Sequence, residues 1–430
     1  MSTALLTDRY ELTMIDAAMG SRMHERECVF EVFARRLPDG RRYGVVGGTG
    51  RLLDEIEQFR FTDAELSWLD EHGVVRRATL DWLADYRFSG SVHGYREGET
   101  YFPGSPILVV QGSFAEAVIL ETLVLSVLNY DSAVASAAAR MVSAAEGRPL
   151  AEMGSRRANE RSAVAAARAA FIAGFGATSN LEAGRSWGIP TMGTAAHSFT
   201  LLHDSEEEAF RAQVDALGPG TTLLVDTFDI EQGVELAVKV AGTALGAVRI
   251  DSGDLPVQVA AVRAQLDALG ATDTRITVTN DLDEYTIAAL RAAPVDSYGV
   301  GTSVVTGSGH PASGFVYKLV AHRDDAGSWI PVAKKSAAKA TVGGRKTPVR
   351  TLAGDTAVAE TIHVGAPPAE PAGRALLVPL LESGVPDDTY RGAAGTLLAR
   401  ERCAASLAEL PADALRLSRG EPAIPTTYVE

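Results

Sequence analysis

Between residues 222 and 301 the chain repeats one pattern, a short apolar segment followed by a segment of helical character. The apolar segments are residues 222–226, 247–251, 275–279 and 295–299, and the first three are followed by helical segments at 230–244, 257–269 and 284–292. Short strands that alternate with helices are typical of a parallel sheet with helical crossovers. The pattern therefore predicts an α/β fold for the middle of the chain.

A polar residue or a glycine stands at or just after the end of each apolar segment. These residues are Asp226, Asp251, Asn280 and Gly301. An α/β barrel builds its active site from groups at the carboxyl ends of successive parallel strands. A doubly wound open sheet would give the same local pattern, but no G-x-G-x-x-G follows a first strand, so a Rossmann fold ranks second.

The chain divides into three regions, which are residues 1–112, 113–330 and 331–430. The first region mixes helix and strand, with strand-like segments at 28–34, 89–95 and 106–111. The middle region begins with an Ala- and Leu-rich segment, 114–145, which predicts a long helix with a possible break near Asn129. The last region is rich in Pro, Ala and Gly, and Pro367, Pro368 and Pro371 indicate a linker or turn.

Charge and cysteine content narrow the functional classes. The net charge of −15 argues against general nucleic-acid binding, which needs a basic surface. Cys28 and Cys403 form neither a disulfide framework nor a metal-binding pattern. No apolar stretch reaches the roughly 18 residues of a membrane span, and residues 1–14 lack the apolar core of a signal peptide. We therefore expect a cytoplasmic protein that does not bind a membrane.

The segment Arg249-Ile-Asp-Ser-Gly-Asp254 places two carboxylates three residues apart around a Ser-Gly turn. Asp251 and Asp254 could accept hydrogen bonds from ribose hydroxyls or hold hydrated Mg²⁺. Arg249 lies on the same strand face as Asp251 and could bind a carboxylate or stack on an aromatic ring. The alternative is an ordinary βα turn in which Asp254 begins the next helix.

Two segments suit the binding of phosphate. In residues 298–306, Gly301 lets backbone N–H groups approach an anion and Thr302 adds a hydroxyl, although a flexible turn would have the same composition. In residues 152–157, Arg156 and Arg157 follow a glycine and a strand-like run, and ordinary surface charge is the alternative.

His197 follows the apolar segment 189–192 and could act as a general acid or base or as a nucleophile. A structural histidine is the alternative. Farther along, residues 326–354 contain no acidic residue, and they form either a solvated loop or a lid that faces an anion. The basic residues of this stretch are Lys334, Lys335, Lys339, Arg345, Lys346 and Arg350.

Several of these segments, taken in order, resemble one family. They are Thr7-Asp-Arg-Tyr-Glu-Leu-Thr-Met14, Glu152-Met-Gly-Ser-Arg-Arg157, Gly193-Thr-Ala-Ala-His-Ser198, Arg249-Ile-Asp-Ser-Gly-Asp254, Tyr298-Gly-Val-Gly-Thr-Ser303 and the basic run from Lys334 to Lys346. Each segment is a weak signal, but the ordered set resembles the nicotinate phosphoribosyltransferases.

The resemblance implies a type II phosphoribosyltransferase fold. In such a fold an irregular α/β barrel, here residues 113–330, stands beside an α/β domain built from both chain ends, here residues 1–112 and 331–430. It also implies transfer of the phosphoribosyl group of phosphoribosyl pyrophosphate to nicotinate, with Mg²⁺ and with ATP hydrolysed as a co-substrate. Members of the family usually form head-to-tail dimers in which the N-terminal segment of one subunit completes the other subunit's site.

The resemblance also assigns residues. His197 matches the histidine that becomes phosphorylated. Tyr10, Thr194 and Arg249 match positions that contact nicotinate. Arg156, Asp251, Gly301 and Thr302 match positions around phosphoribosyl pyrophosphate. One departure is Met153, which stands where relatives often carry a phenylalanine that stacks on the pyridine ring.

The choice of base is predicted from residues 176–180, which read as a short strand. By resemblance, relatives that use nicotinamide place a carboxylate there, whereas Thr178 and Ser179 are uncharged. Together with Arg249 this favours an anionic base. The competing hypotheses are a phosphoribosyltransferase for nicotinamide or quinolinate and a barrel protein that binds sugar phosphates without catalysis.

Overall fold

A computed structural model of the chain describes residues 2–334, 341–366 and 373–430. Its contacts divide the chain into two compact units. The first unit combines both chain ends, Met1–Ser136 and His310–Glu430, and the second unit is Ala137–Gly309.

Helices and strands alternate along most of the described chain. Within the described ranges the α-helices are α1 (Arg9–Ser21), α2 (Thr49–Glu57), α3 (Asp63–Glu71), α4 (Arg77–Asp85), α5 (Phe114–Val118), α6 (Glu121–Ala145), α7 (Glu160–Ile172), α8 (Leu181–Trp187), α9 (His197–Leu202), α10 (Glu206–Leu217), α11 (Ile230–Ala241), α12 (Leu255–Ala268), α13 (Glu284–Ala289), α14 (Thr302–Val305) and α15 (Gly392–Ala408). The β-strands of the same ranges are β1 (Glu27–Ala34), β2 (Gly44–Val45), β3 (Ser91–Tyr95), β4 (Thr100–Tyr101), β5 (Leu108–Ser113), β6 (Leu150–Glu152), β7 (Ala177–Thr178), β8 (Thr222–Leu224), β9 (Ala247–Ile250), β10 (Arg275–Val278), β11 (Ser297–Val300), β12 (Phe315–Arg323), β13 (Trp329–Pro331), β14 (Lys346–Ala353), β15 (Thr356–Val364), β16 (Arg374–Ala375), β17 (Leu377–Glu382), β18 (Val385–Pro386) and β19 (Thr426–Val429).

The second unit is built on a parallel sheet with the strand order β7-β6-β11-β10-β9-β8. Helices α11, α12 and α13 connect β8 to β11 in the predicted alternation. Apolar side chains from the middle of the strands are fully buried, among them Val248, Ile276 and Val300. The predicted α/β class and the irregular barrel are confirmed, with the sheet forming a curled half-barrel.

The first unit contains a sheet of seven strands in the order β13-β12-β1-β5-β3-β17-β18 and a sheet of four strands in the order β16-β14-β15-β19. Strands from opposite ends of the chain are neighbours, because β1 pairs with β12 and β3 pairs with β17, both antiparallel. In its core, the rings of Phe30 and Tyr317 stack with centroids 4.9 Å apart. A second domain made from both chain ends, as predicted, is therefore present.

The division of the chain differs from the expected boundaries near residues 112 and 330. Strand β12, residues 315–323, pairs along β1 and belongs to the first unit, although the sequence places it in the barrel region. Helix α5 and the first part of α6 also belong to the first unit. An apolar strand looks the same in sequence whichever sheet it joins, so its long-range pairing decides the boundary.

The break predicted near Asn129 is wrong. Helix α6 runs without interruption from Glu121 to Ala145, and the interruption lies before it, between α5 and α6. The Asn129 side chain instead accepts a hydrogen bond from the backbone N–H of Phe315 at 2.8 Å. This tertiary contact explains a polar residue within an otherwise apolar helix.

The helical stretch Phe114–Ala145 is apolar and long enough to cross a membrane, judged by length and composition alone. This differs from the sequence-based expectation that no stretch reaches that length. Its most apolar window is 67% buried inside the protein. A core helix passes the same test, so the stretch is weak evidence for a membrane span.

Two residues of the basic stretch 326–354, Lys346 and Arg350, form ion pairs inside the protein and are not part of an anion-facing lid. On β14, Lys346 Nζ lies 2.6 Å from Glu31 Oε2, and Arg350 Nη2 lies 2.7 Å from Glu360 Oε2. Arg350 and Glu360 are fully buried. The lid interpretation is therefore wrong for Lys346 and Arg350, because their charges are already neutralised. Lys335 and Lys339 lie outside the described residues, as do Pro367, Pro368 and Pro371.

Candidate active site

A polar cavity of about 220 Å³ opens in the second unit at the carboxyl ends of its central strands. The segments after β6, β9, β10 and β11 all contribute to its wall, as expected for an α/β barrel site. Its lining residues are Met153, Arg156, Arg157, Arg249, Asp251, Thr279, Asn280, Asp281, Gly299, Gly301 and Thr302.

Arg249 is held in a fixed orientation by three side chains. Its Nε donates to Thr279 Oγ1 at 2.9 Å, its Nη1 to Thr194 Oγ1 at 3.0 Å and its Nη2 to Asp251 Oδ2 at 3.1 Å. The Arg249 side chain is only 12% exposed. Nη1 also donates to the Ala195 carbonyl at 3.4 Å. Of the five N–H groups of the guanidinium, the second N–H of Nη2 therefore has no acceptor among the described residues and is oriented to donate to an anion.

The turn that carries Asp251 is anchored to the neighbouring strand end. Asp226, which follows β8, accepts through Oδ2 from the Asp251 backbone N–H at 2.9 Å and from the Ser252 hydroxyl at 2.6 Å. The Thr279 hydroxyl donates to the other oxygen of Asp251, Oδ1. Asp254 lies outside this network and is exposed at the start of α12.

His197 is the first residue of α9 and lies beside the Asp251 network. Its Nδ1 is 3.2 Å from Thr227 Oγ1, and its Nε2 is 3.9 Å from Asp251 Oδ2. The imidazole is 41% exposed. An oriented, accessible imidazole next to a carboxylate is able to accept a transferred group.

A second cavity, of about 320 Å³, adjoins the first and shares Met153, Arg156 and Arg249 with it. Its other lining residues are Ser155, Ser179, Met192, Gly193, Thr194, Ala195 and Ala196. A Cβ at Gly299 would lie 2.7 Å from the Met153 sulfur, so the glycine makes room for this long side chain between the two cavities.

Of the two uncharged residues predicted to face the base, only Ser179 lines the second cavity. Thr178 is fully buried and its hydroxyl donates to Glu152 Oε2 at 2.6 Å. Burial raises the pKa of Glu152 above its usual value, against the hydrogen bonds from Thr178 and from the Gly154 backbone. The prediction that Thr178 faces the base is wrong, because successive strand residues point to opposite faces.

The second unit brings together seven of the eight predicted site residues. They are Arg156, Thr194, His197, Arg249, Asp251, Gly301 and Thr302. The eighth, Tyr10, lies on α1 of the first unit with its side chain 45% exposed. Partial burial of the phenol and the neighbouring carboxylates of Glu121 and Glu11 raise the Tyr10 pKa.

Sequence reasoning missed the hydroxyls of Thr279 and Thr227. Thr279 joins Arg249 to Asp251, and Thr227 contacts His197. Thr279 directly follows the end of β10, and Thr227 directly follows Asp226, just after the end of β8. Their positions at the carboxyl ends of strands could have marked both as site residues. Asp226 was noted as a strand-end residue, but its role as the acceptor that fixes the Asp251 turn needed the structure.

Comparisons with known proteins agree on one family. The family profile described as nicotinate phosphoribosyltransferase N-terminal domain matches residues 5–129. The chain is 57% identical to nicotinate phosphoribosyltransferase pncB1 of Mycobacterium tuberculosis, over 99% of this chain and 95% of the relative. It is 37% identical to the nicotinate phosphoribosyltransferase of Bacillus subtilis, over 82% of this chain and 74% of the relative.

Two solved structures share the fold over nearly the whole chain. Human nicotinic acid phosphoribosyltransferase has a TM-score of 0.83 and 25% identity, covering 99% of this chain and 98% of its own. Nicotinate-nucleotide pyrophosphorylase of Pyrococcus furiosus has a TM-score of 0.74 and 23% identity, covering 93% of both chains, and supports the fold alone.

Proposed function

This chain belongs to the nicotinate phosphoribosyltransferase family, and we propose that it transfers the phosphoribosyl group of phosphoribosyl pyrophosphate to nicotinate. The products are nicotinate mononucleotide and pyrophosphate, in NAD biosynthesis and salvage. The observation that carries the proposal is the fixed guanidinium of Arg249, which stands in the wall shared by two adjoining cavities. One cavity suits an aromatic anion and the other suits a polyanion.

Nicotinate binds in the cavity lined by Met153, Ser179 and Thr194. Arg249 and the two hydroxyls supply donors for the carboxylate, and the cavity lining contains no acidic residue that would repel it. The Met153 thioether packs against the pyridine ring in the place where relatives often carry phenylalanine. This balance of charge favours nicotinate over neutral nicotinamide.

Phosphoribosyl pyrophosphate binds in the other cavity. Arg156 offers a cation, and Gly301 and Thr302 offer a close backbone approach and a hydroxyl at the end of β11. Asp251 accepts hydrogen bonds from ribose hydroxyls. These groups position the anomeric carbon near the ring nitrogen of the base.

The cavity also fits Mg²⁺. Asp251 and Asp281 both line it, and Mg²⁺ is usually held by one or two carboxylates together with substrate phosphates. The described residues contain no group of three His, Cys, Asp or Glu that could hold a metal ion. When bound, Mg²⁺ neutralises charge on the departing pyrophosphate.

The transfer needs no general base. The nicotinate ring nitrogen carries a lone pair and attacks the anomeric carbon as the bond to pyrophosphate breaks, through a transition state with oxocarbenium character. The protein therefore mainly positions the two substrates and stabilises the leaving charge with Arg156 and its neighbours.

His197 couples the reaction to ATP. Its imidazole accepts the γ-phosphoryl group of ATP with release of ADP, and later hydrolysis of the phosphohistidine releases phosphate and restores the free ring. Thr227 and Asp251 orient the imidazole for this role. The histidine acts as an energy carrier and takes no part in the bond exchange at the ribose.

Tyr10 acts in trans within a homodimer. It lies near the chain start on α1, with its ring partly exposed and its phenol near Glu121. The ring then covers the pyridine of nicotinate bound to the partner subunit.

A thermal-shift experiment with three bases tests the choice of substrate. Nicotinate should raise the melting temperature of the protein through mass action, whereas nicotinamide and quinolinate should raise it little. Arg249→Lys should abolish the response to nicotinate, and Arg263→Lys on α12, at a residue that lines neither cavity, should preserve it. A larger shift with nicotinamide or quinolinate would favour the competing phosphoribosyltransferases, and binding without product would favour a non-catalytic barrel.

A further inference from the structure

Glu11 is a buried carboxyl group next to Tyr10 that the proposed mechanism does not use. Its side chain is fully buried on the first turn of α1. Burial raises the pKa of Glu11 to about 7, against three hydrogen bonds that lower it. Burying a carboxyl group costs free energy of folding unless hydrogen bonds compensate for the lost hydration.

All three hydrogen bonds of Glu11 run to backbone or hydroxyl donors. Oε1 accepts from the Thr122 backbone N–H at 2.8 Å and from the Thr122 hydroxyl at 2.7 Å, and Oε2 accepts from the Asp8 backbone N–H at 3.1 Å. One carboxylate thus joins the start of α1 to the start of α6. A glutamine could not satisfy all three donors, because one of its two polar atoms is itself a donor.

Two neighbouring contacts tie the same segment to the same place. The Thr7 hydroxyl donates to the Ile119 carbonyl at 3.1 Å, just before α6. The Tyr10 phenol lies near Glu121, whose carboxylate is 3.9 Å from Lys318 Nζ. The chain on both sides of Tyr10 is therefore fastened to residues 119–122, while the Tyr10 side chain stays 45% exposed.

We infer that Glu11 is a positioning residue, which through its bonds to Thr122 holds the Tyr10 ring ready to cover the bound base. The inference rests on the proposed function, in which Tyr10 contacts nicotinate. Fixing the first turn of α1 before binding removes an ordering cost that would otherwise weaken the affinity for the base. The loss of Glu11 should then affect binding of the base more than the transfer step.

Steady-state kinetics on paired variants test this inference. Glu11→Gln and Thr122→Val should each raise the KM for nicotinate about five- to tenfold and leave kcat within about twofold. Because both variants break the same contact, the double variant should be no worse than either single one. Thr122→Ser keeps the hydroxyl and should behave as the wild type.

Glu65→Gln is the matched control. Glu65 occupies the same third position of α3 and accepts from the Thr62 backbone N–H at 2.7 Å, so the variant makes the same change of a helix-start carboxylate to an amide away from Tyr10. It should leave KM and kcat unchanged.

The outcomes separate this inference from the proposed function. If the wild type makes no nicotinate mononucleotide, the proposed function fails. If the wild type is active and Tyr10→Ala raises KM while Glu11→Gln and Thr122→Val do not, the positioning role is wrong. It is also wrong if Tyr10→Ala leaves KM unchanged, or if the Glu11 and Thr122 effects add independently.

Discussion

At the scale of single residues, the preference for nicotinate depends on which side chains face the cavities. Ser179 lines the cavity assigned to the base, whereas its neighbour Thr178 is buried against Glu152. A negative charge at residue 179 should repel nicotinate in a partly desolvated cavity and affect neutral nicotinamide much less. We predict that Ser179→Asp lowers kcat/KM for nicotinate roughly ten- to a hundredfold relative to nicotinamide.

Thr178→Asp is the companion variant. It would place a charge beside the buried carboxyl of Glu152, so it should lower the melting temperature of the protein, which Ser179→Asp should largely preserve. Measuring kcat/KM for both bases, with melting temperatures for both variants, separates the two effects. An unchanged ratio of bases in Ser179→Asp would refute the assigned cavity.

A second prediction at this scale concerns Glu206, at the start of α10. Its side chain is buried, and its Oε1 has no hydrogen-bond partner in the described part of the chain. Burial, and to a smaller extent the negative charges of Asp229 and Asp226, raises the pKa of Glu206 to about 7. A carboxyl whose folded pKa exceeds its unfolded value stabilises the fold below the unfolded pKa of about 4.5, and this contribution is lost as the pH rises through 7.

Glu206→Gln should therefore increase the free energy of unfolding at pH 8 and change it little at pH 5. Glu208→Gln removes an exposed carboxylate from the same helical turn and serves as the control. Urea unfolding at both pH values measures the effect. Equal changes for the two variants, or a larger gain at pH 5, would contradict the assigned burial cost.

At the scale of elements, buried ion pairs hold together strands that are distant in sequence. Arg350 on β14 bonds Glu360 on β15, and its Nη1 also lies 3.4 Å from Glu99 Oε1. Removing the cation would leave the buried Glu360 carboxylate without a cationic partner among the described residues, whereas Glu99 would keep Arg374. We predict that Arg350→Ala lowers the free energy of unfolding by about 3–5 kcal/mol.

The matched comparison is Arg77→Ala on α4, whose partner Asp81 is exposed. An exposed pair of this kind is worth about 0–1 kcal/mol. Denaturant unfolding of both variants measures the difference. Similar small losses for the two would show that Arg350 is not part of the buried network.

The same elements show how far sequence could lead. The alternation of strand and helix and the strand-end residues Asp251 and Gly301 follow from local pattern, and the structure confirms their places. The burial of Lys346 and Arg350 does not follow from local pattern. The partner of Lys346 is Glu31 on a strand distant in sequence, and the partner of Arg350 is Glu360 on the other strand of a hairpin. Likewise, a shift of one residue decides whether Thr178 or Ser179 faces the cavity, and composition cannot fix that register.

At the scale of the whole molecule, Tyr10 and the other site residues belong to different units of the chain. If Tyr10 acts on the partner subunit, Tyr10→Ala, which binds the base weakly, and His197→Ala, which lacks the ATP-stimulated activity, should complement each other in hybrid dimers when ATP-stimulated turnover is assayed at low nicotinate. Mixing the two under conditions that exchange subunits should restore part of the activity. A mass label on one variant shows whether subunits have exchanged. If they have exchanged and no activity is recovered, the shared site is refuted.

The central claim is that the protein transfers a phosphoribosyl group to nicotinate in the two cavities that share Arg249. Release of pyrophosphate measures this transfer most directly. With phosphoribosyl pyrophosphate and Mg²⁺, the wild type should release pyrophosphate only when nicotinate is present, and ATP should increase the rate. His197→Ala should keep the slow ATP-independent release and lose the increase with ATP. Release that does not depend on nicotinate, or no release with or without ATP, would contradict the account.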